Sequence, residues 1–216
     1  MGFRFQEILR MIIPGLYMLS IIMSSFLCAK HTELSVGDWK LLLDVLDNFS
    51  SVIVLFIPFV GFVAGYVIEC FMSIFEHLFY LIGGRRPSKN ILKGSSIYVL
   101  HNLEQINMDL LNNEALTNRN CKIALQKAKQ QIDRAKCLDF LYASILARNL
   151  FGSQIMILIF LVIQFGWMSK SVLYATILAL LFLVYWIHKN HVYVKYIFSE
   201  YAKTYITGCS DETEPA

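Results

Sequence analysis

Four long apolar runs constrain the fold of this chain more than any other feature. They lie near residues 11–29, 51–68, 150–168 and 171–187. A run of roughly 18 or more apolar residues is long enough to cross the hydrocarbon core of a bilayer as an α-helix. The runs are continuous, whereas the strands of a transmembrane barrel alternate apolar and polar residues. The sequence therefore predicts an all-α integral membrane protein with about four transmembrane helices.

Composition agrees with this fold class and gives no sign of a bound cofactor. Charged residues make up 16% of the 216-residue chain, whereas soluble domains average about 25%. The five cysteines form no C-x-x-C pair, so the pattern indicates neither a zinc site nor a disulfide framework. We therefore predict no metal and no other cofactor.

The first apolar run follows Arg4 and Arg10, an arrangement that signal peptides and first transmembrane helices share. The run at 11–29 is longer than the apolar region of a signal peptide, which spans about 7–15 residues. We favour an uncleaved first span over a cleaved signal peptide.

The distribution of lysine and arginine predicts the orientation of the spans. Residues 83–149 carry 11 basic and 5 acidic residues, whereas residues 30–50 carry 2 basic and 4 acidic ones. Cytoplasmic loops retain the excess of Lys and Arg. We therefore expect both termini and residues 83–149 in the cytoplasm, and residues 30–50 on the outer side.

The spans and the charges divide the chain into four parts. These are an N-terminal membrane pair at 1–82 (spans at about 11–29 and 51–70, with the second helix extending to 82), a basic cytoplasmic helical insert at 83–149, a C-terminal membrane hairpin at 150–188 and a cytoplasmic tail at 189–216.

The insert is predicted to form a cytoplasmic helical hairpin between spans two and three. Residues 95–116 and 121–147 both place apolar residues at helical spacing. The sequence TNRN at 117–120 is a turn signal between them. We expect the second helix of this hairpin to continue directly into span three.

The second apolar helix is too long to be immersed completely. Residues 51–82 would form a helix of roughly 48 Å, against about 30 Å of hydrocarbon. If the span begins at Ser51, Glu69 lies near the inner edge, and Glu76 and His77 lie beyond it.

Small and polar residues recur along one side of this helix, five of them four positions apart and Glu76 seven residues after Glu69, and we call them the small-and-polar stripe. Its members are Gly61, Gly65, Glu69, Ser73, Glu76 and His77. Small residues at this spacing let helix backbones approach closely in membranes, and polar residues at membrane depth face a bundle interior or water. The stripe therefore lines either a pore or oligomer seam, or an intramolecular packing seam whose acids reach the cytoplasmic interface. No residue of the other spans is an obvious partner for a proton relay through Glu69.

A basic cytoplasmic surface is predicted on the insert. Its members are Arg85, Arg86, Lys122, Lys127, Lys129, Arg134 and Lys136. Retention of positive charge in the cytoplasm already explains this excess, so we do not predict nucleic-acid binding. The sequence contains no P-loop, no nucleophile elbow and no H-E-x-x-H motif, and we predict that the chain is not an enzyme.

Three segments resemble small bacterial multispan effectors of antiphage defence systems. They are FRFQEILRMIIPGLYML, AGYVIECFMSIFEHL and FLYASILARNL. The resemblance is to the architecture of proteins associated with CRISPR, CBASS or retron genes. It implies a bacterial inner-membrane protein that damages the membrane when triggered.

The leading hypothesis is an antiviral effector that forms a homo-oligomer through the small-and-polar stripe and permeabilises or depolarises the membrane. Its partners would be membrane lipid, further copies of itself and a soluble protein of the defence system. One alternative is a non-enzymatic membrane scaffold that recruits a soluble partner through the insert. Another is a small channel or transporter.

Overall fold

The computed structural model describes residues 5–30, 51–82, 86–94, 103–112 and 114–206. All regular structure in these ranges is helical. The helices are α1 Phe5–Lys30, α2 Ser51–Ile82, α3 Pro87–Leu92, α4 Leu103–Leu111, α5 Asn118–Gln131, α6 Arg134–Phe165 and α7 Lys170–Tyr201, and a π-helical turn at Ala202–Ile206 follows α7.

Four of the described helices are long and apolar enough to cross a membrane. The qualifying segments are Ile8–Ser25 of α1, Phe56–Tyr80 of α2, Cys137–Phe165 of α6 and a segment from Lys170 to Thr204 that begins with α7. This confirms the coarse prediction of an all-helical chain with four candidate spans. The loop predicted at 30–50 lies almost entirely outside the described residues.

The chain forms two compact units. Unit 1 takes residues 1–75 and 145–184, and unit 2 takes residues 76–144 and 185–216. The boundaries of the units fall inside helices α2, α6 and α7, whereas the sequence predicted domain boundaries after residues 82, 149 and 188. The difference arises because each of these helices contributes turns to both units.

Helix α6 is the most enclosed of the four candidate spans. Its apolar segment is 44% buried, against 17% to 22% for the other three. Within unit 1, Ile157 and Leu161 of α6 form a core with Val172 and Ala175 of α7. Tyr17 of α1 packs at the edge of this core. The outward faces of the other spans are apolar and exposed, as lipid-facing surfaces are.

Unit 2 has an apolar core of its own. The core includes Ile106 and Leu110 of α4, Ala124 and Ala128 of α5, and Ile197 and Phe198 of α7. Thr117 caps the start of α5, since its hydroxyl accepts a hydrogen bond from the backbone N–H of Asn120 at 3.2 Å. The turn signal at 117–120 therefore contains the start of α5.

The second helix of the expected hairpin is broken rather than continuous. Helix α5 ends at Gln131, Ile132 is extended (φ −98°, ψ 156°), and α6 begins at Arg134. Asp133 Oδ1 accepts a hydrogen bond from the backbone N–H of Ala135 at 2.9 Å. An aspartate at this position stabilises a new helix start, so α6 begins as a separate helix. Of the expected first helix at 95–116, residues 95–102 and 113 lie outside the described part of the chain.

Candidate functional site in the membrane bundle

The glycines of the small-and-polar stripe lie against helix α1. Gly61 and Gly65 are buried, and they face Gly15 and Met11 of α1. A Cβ atom at Gly65 would overlap the carbonyl oxygen of Met11, and one at Gly15 would overlap the carbonyl oxygen of Gly61. The two backbones are thus in direct contact, which only residues without a side chain permit.

Glu69 forms an ion pair that the sequence did not reveal. Its Oε1 lies 3.4 Å from Nη2 of Arg148 on α6, and the two side chains are 21% and 14% exposed. The second carboxylate oxygen, Oε2, is buried and has no hydrogen-bond partner among the described residues. One turn further along, Ser73 is exposed, and its hydroxyl donates to the Glu69 carbonyl at 2.9 Å.

The last two members of the stripe belong to unit 2. Glu76 is half-buried and His77 is exposed. Within unit 1, the structure therefore places Gly61 and Gly65 on a seam with α1, and Glu69 on a seam with α6.

The predicted basic surface is spread over several helices of unit 2. Lys122 and Lys127 are exposed on α5, and Lys127 Nζ donates to the Leu110 carbonyl at 3.4 Å. The Arg86 guanidinium lies 5.4 Å from the ring centre of Tyr80. The described side chains exclude those of Arg85, Arg134 and Lys136.

Lys129 is half-buried, whereas Lys122 and Lys127 are exposed. Its ammonium lies 4.9 Å from the centre of the Tyr193 ring, a cation–π contact. Burial lowers the pKa of Lys129 below its usual value of 10.5, although charge interactions with Cys137 and Glu76 raise it in part.

A row of polar side chains along α6 forms the candidate site. We call it the polar row, and its members are Arg148, Asn149, Ser153, Gln154 and Gln164. Asn149, Ser153 and Gln154 are almost completely buried. The row extends over 16 residues, or roughly 24 Å of helix, which is most of the thickness of a hydrocarbon core.

Asn149 compensates for a proline in the first span. Pro14 has no backbone N–H, so within α1 it releases the carbonyl of Arg10, four residues earlier. Asn149 Nδ2 donates to that Arg10 carbonyl at 3.4 Å. A side chain of α6 therefore supplies the hydrogen bond that the proline removes, as backbone groups inside a membrane require.

Ser153 and Gln154 extend the row one turn further. Ser153 Oγ lies 3.0 Å from the Pro14 carbonyl and 2.9 Å from the Asn149 carbonyl. Tyr17 donates its hydroxyl to Gln154 Oε1 at 2.6 Å. Gln154 Nε2 then donates to the Ala175 carbonyl of α7 at 3.1 Å. One glutamine thereby connects α1, α6 and α7.

Three buried acceptor oxygens of this site have no hydrogen-bond partner within the part of the chain that the structure describes. They are Glu69 Oε2, Asn149 Oδ1 and Gln164 Oε1. The Gln164 amide does use its nitrogen, which donates to the Ser25 carbonyl at 3.3 Å. Each of these three oxygens is an acceptor, so the species that suits it is a donor such as water or a hydrated cation.

Sequence reasoning missed most of the polar row. Arg148 and Asn149 were assigned to the cytoplasmic insert because positive charge marks cytoplasmic segments, and Ser153 was not singled out. The available signal was the four-residue spacing of Asn149 and Ser153 beside Gln154, which places all three near one another on α6. The proline in the facing span was a second signal.

No group of three or more His, Cys, Asp or Glu side chains that could hold a metal ion occurs within the described residues. Comparisons with protein-family models, with curated proteins and with solved structures find no match to this chain.

Proposed function

We propose that this chain is a triggered membrane-permeabilising effector of bacterial antiviral defence, and that water and small cations pass along the polar row of α6. The observation that carries the proposal is a set of three buried acceptors that find no partner among the described side chains and backbone, Glu69 Oε2, Asn149 Oδ1 and Gln164 Oε1. Polar groups that are left unsatisfied inside a membrane protein are costly. Their retention on the facing helices α2 and α6 suits a path that fills with water when the bundle opens.

Self-association is part of the proposal. In the described part of unit 1, the side chains of α6 fill the space between the spans, with Gln154 1% and Ile157 1% exposed. An opening along the polar row therefore needs helices of the bundle to separate, and further copies of the chain would cover the faces that this exposes. The glycine part of the small-and-polar stripe is occupied by α1, so an oligomer seam at Gly61 and Gly65 would require α1 to leave.

The proposed location is the bacterial inner membrane, with both termini and the basic insert in the cytoplasm. The support is the excess of basic residues at 83–149. A membrane-impermeant thiol reagent tests this on intact spheroplasts of a cysteine-free variant that carries either Lys122→Cys or Met168→Cys. We expect reaction at position 168 only, and reaction at position 122 would reverse the orientation.

The permeation proposal is tested by replacing the acceptors with apolar groups. Purified protein in potassium-loaded vesicles should release potassium, and Asn149→Leu together with Gln164→Leu should slow that release by about tenfold, as ~1.4 kcal/mol added to a barrier would. Val67→Leu adds one methylene group on an exposed position of α2 and should leave the rate unchanged.

The matching experiment in cells measures membrane potential during phage infection. Cells that express the wild-type chain should depolarise after infection, and the double variant should not. An unchanged membrane potential in infected cells that the protein nevertheless protects would rule out permeabilisation as the mechanism.

A second candidate function is a membrane scaffold for a soluble partner. The observation in its favour is unit 2, which has its own core and exposes Lys122 and Lys127. If this function is correct, Lys122→Glu with Lys127→Glu should abolish partner capture from infected cells and leave vesicle leakage unaltered. Loss of leakage with retained capture would favour the permeation proposal instead.

A further inference from the structure

Unit 2 contains a partly open cavity of about 220 Å³ between α5, α6 and α7. Lys129, Cys137, Leu138, Leu141, Tyr193 and Ile197 line it. The cavity lies outside the polar row, and neither the ion pair nor the amide network of α6 involves it.

The cavity wall is apolar except at one place. Lys129 is the charged residue among those that line it, and its ammonium lies 4.9 Å from the Tyr193 ring centre. That ring partly replaces the hydration that the ammonium loses on burial, and burial nevertheless lowers the pKa of Lys129. The ring compensates only in part for the lost hydration of the ammonium. An anion bound beside the ammonium would supply a charge-assisted contact in addition.

The size of the cavity limits the apolar part of a ligand. The volume of the cavity is about 220 Å³. This is smaller than the pockets that hold drug-sized ligands, which span about 300–1,000 Å³. A short hydrocarbon chain fits, whereas the complete tails of a phospholipid do not.

We propose that this cavity binds a medium-chain fatty acid anion, with the carboxylate on Lys129 and the hydrocarbon chain against Leu138, Leu141 and Ile197. The leucine and isoleucine walls supply the apolar contact, and the single lysine supplies the charge complementarity. The site is independent of permeation along the polar row.

Replacing Glu76 of α2 should change the affinity for the fatty acid in the opposite direction from replacing Lys129. Its charge acts on Lys129, although Glu76 does not line the cavity. A carboxylate that binds at Lys129 would be repelled by Glu76, so removing the acid should strengthen binding while removing the lysine should weaken it.

The experiment uses the full chain in phosphatidylcholine nanodiscs and octanoate as the probe. Cys28, Cys70 and Cys209 are replaced by Ser and Cys121 by Ala, which leaves Cys137 as a reporter inside the cavity. Octanoate should protect Cys137 from maleimide in a saturable manner. Octanol and octylammonium have the same chain length without the negative charge and should protect poorly.

Variants assign the effect to Lys129. Lys129→Met should weaken octanoate binding about tenfold, the loss that corresponds to one charge-assisted contact, and Lys129→Arg should retain it. Lys122→Met removes the same charge from an exposed position of α5 and should have no effect, whereas Glu76→Gln should strengthen binding. Equal protection by octanol, or equal losses from Lys129→Met and Lys122→Met, overturns the proposal.

Discussion

At the scale of single residues, the most informative pair is Pro14 and Asn149. Pro14 lies near the start of the first apolar run, and α1 continues through it from Phe5 to Lys30. The helix tolerates the proline because Asn149 donates to the released Arg10 carbonyl. A single sequence cannot reveal this pairing, since 139 residues separate the two partners.

This pairing predicts a specific coupling between the two positions. Asn149→Ala should lower the free energy of unfolding by about 1 kcal/mol, in the range of interhelical hydrogen bonds in membranes. In a Pro14→Ala background the same change should cost less, because the N–H of the new alanine can satisfy the Arg10 carbonyl within α1. A double-mutant cycle, measured by unfolding in mixed micelles, gives the coupling energy directly. Strictly additive effects would show that Asn149 does not compensate for the proline.

Only part of the environment of Glu69 could be predicted from the sequence. Its position near the end of an apolar run was visible in the sequence, and so was the small residue spacing before it. Its partner Arg148 could not be predicted, because the sequence is equally consistent with Arg148 as one of many cytoplasmic charges. Only the packing of α2 against α6 distinguishes the two readings, and it places Arg148 at 3.4 Å from the carboxylate.

At the scale of elements, the crossing of α1 and α2 depends on three glycines. Gly15, Gly61 and Gly65 bring the two backbones into contact, and each lacks the space for a Cβ atom. The four-residue spacing of Gly61 and Gly65 predicts a close approach of helices, and in the structure these two glycines lie against α1. It did not identify α1 as the partner, because a second copy of α2 would satisfy the same spacing.

The crossing should be sensitive to one added methyl group. Gly65→Ala should lower the free energy of unfolding by about 1–3 kcal/mol, the usual cost of overpacking a close contact. The clash is with the Met11 backbone, which cannot rotate away as a side chain could.

Val67→Leu is the matched control on the same helix, because Val67 is 56% exposed and the added group meets lipid. Unfolding in mixed micelles measures both variants. Equal stabilities would mean that α1 and α2 do not meet at Gly65.

The number of spans could be predicted from the local sequence pattern, but the helix break at Ile132 and Asp133 could not. Four apolar runs predicted four spans, since length and hydropathy determine which helices suit a bilayer. The break at Ile132 and Asp133 escaped prediction because apolar residues keep helical spacing across it. The hydrogen bond from the Ala135 N–H to Asp133 Oδ1 stabilises the start of a new helix. The spacing of apolar residues does not show such a bond.

At the scale of the whole molecule, each of the two units has an apolar core of its own, and both also contain polar side-chain contacts between helices. Unit 1 combines apolar packing with polar side-chain contacts between helices, such as Tyr17 with Gln154. Unit 2 has a core that includes Cys121 and Phe198, both completely buried. The sequence predicted the apolar content of both units, but not which turns of α2, α6 and α7 belong to each.

Cys121 reports the opening of unit 2. In a variant that retains this cysteine alone, maleimide labelling of the folded protein should be at least ~100-fold slower than labelling of Lys122→Cys in a cysteine-free chain, which corresponds to an opening free energy of about 3 kcal/mol. The neighbouring position is exposed, whereas Cys121 is not.

The Cys121 thiol should also make the free energy of unfolding depend on pH. Burial raises the pKa of Cys121 above its usual value of 9.0, although the charge of Lys89 lowers it in part. The unfolded thiol therefore loses its proton first, and the free energy of unfolding should fall as the pH rises from 9.0 toward the raised pKa. Comparable labelling rates at positions 121 and 122 would mean that unit 2 opens freely.

The distance along the chain between Arg10 and Asn149 also has a consequence during synthesis. At about 5–20 residues per second, the 139 residues between them take on the order of ten seconds to be translated. The glycine crossing of α1 and α2 can form before α6 is complete, because translation of α2 ends at Ile82. The Arg10 carbonyl cannot be satisfied by α6 until much later, so the nascent first pair must keep that group in contact with water or the insertion machinery. A chain that stopped before α6 would leave this polar gap in its first helix permanently open.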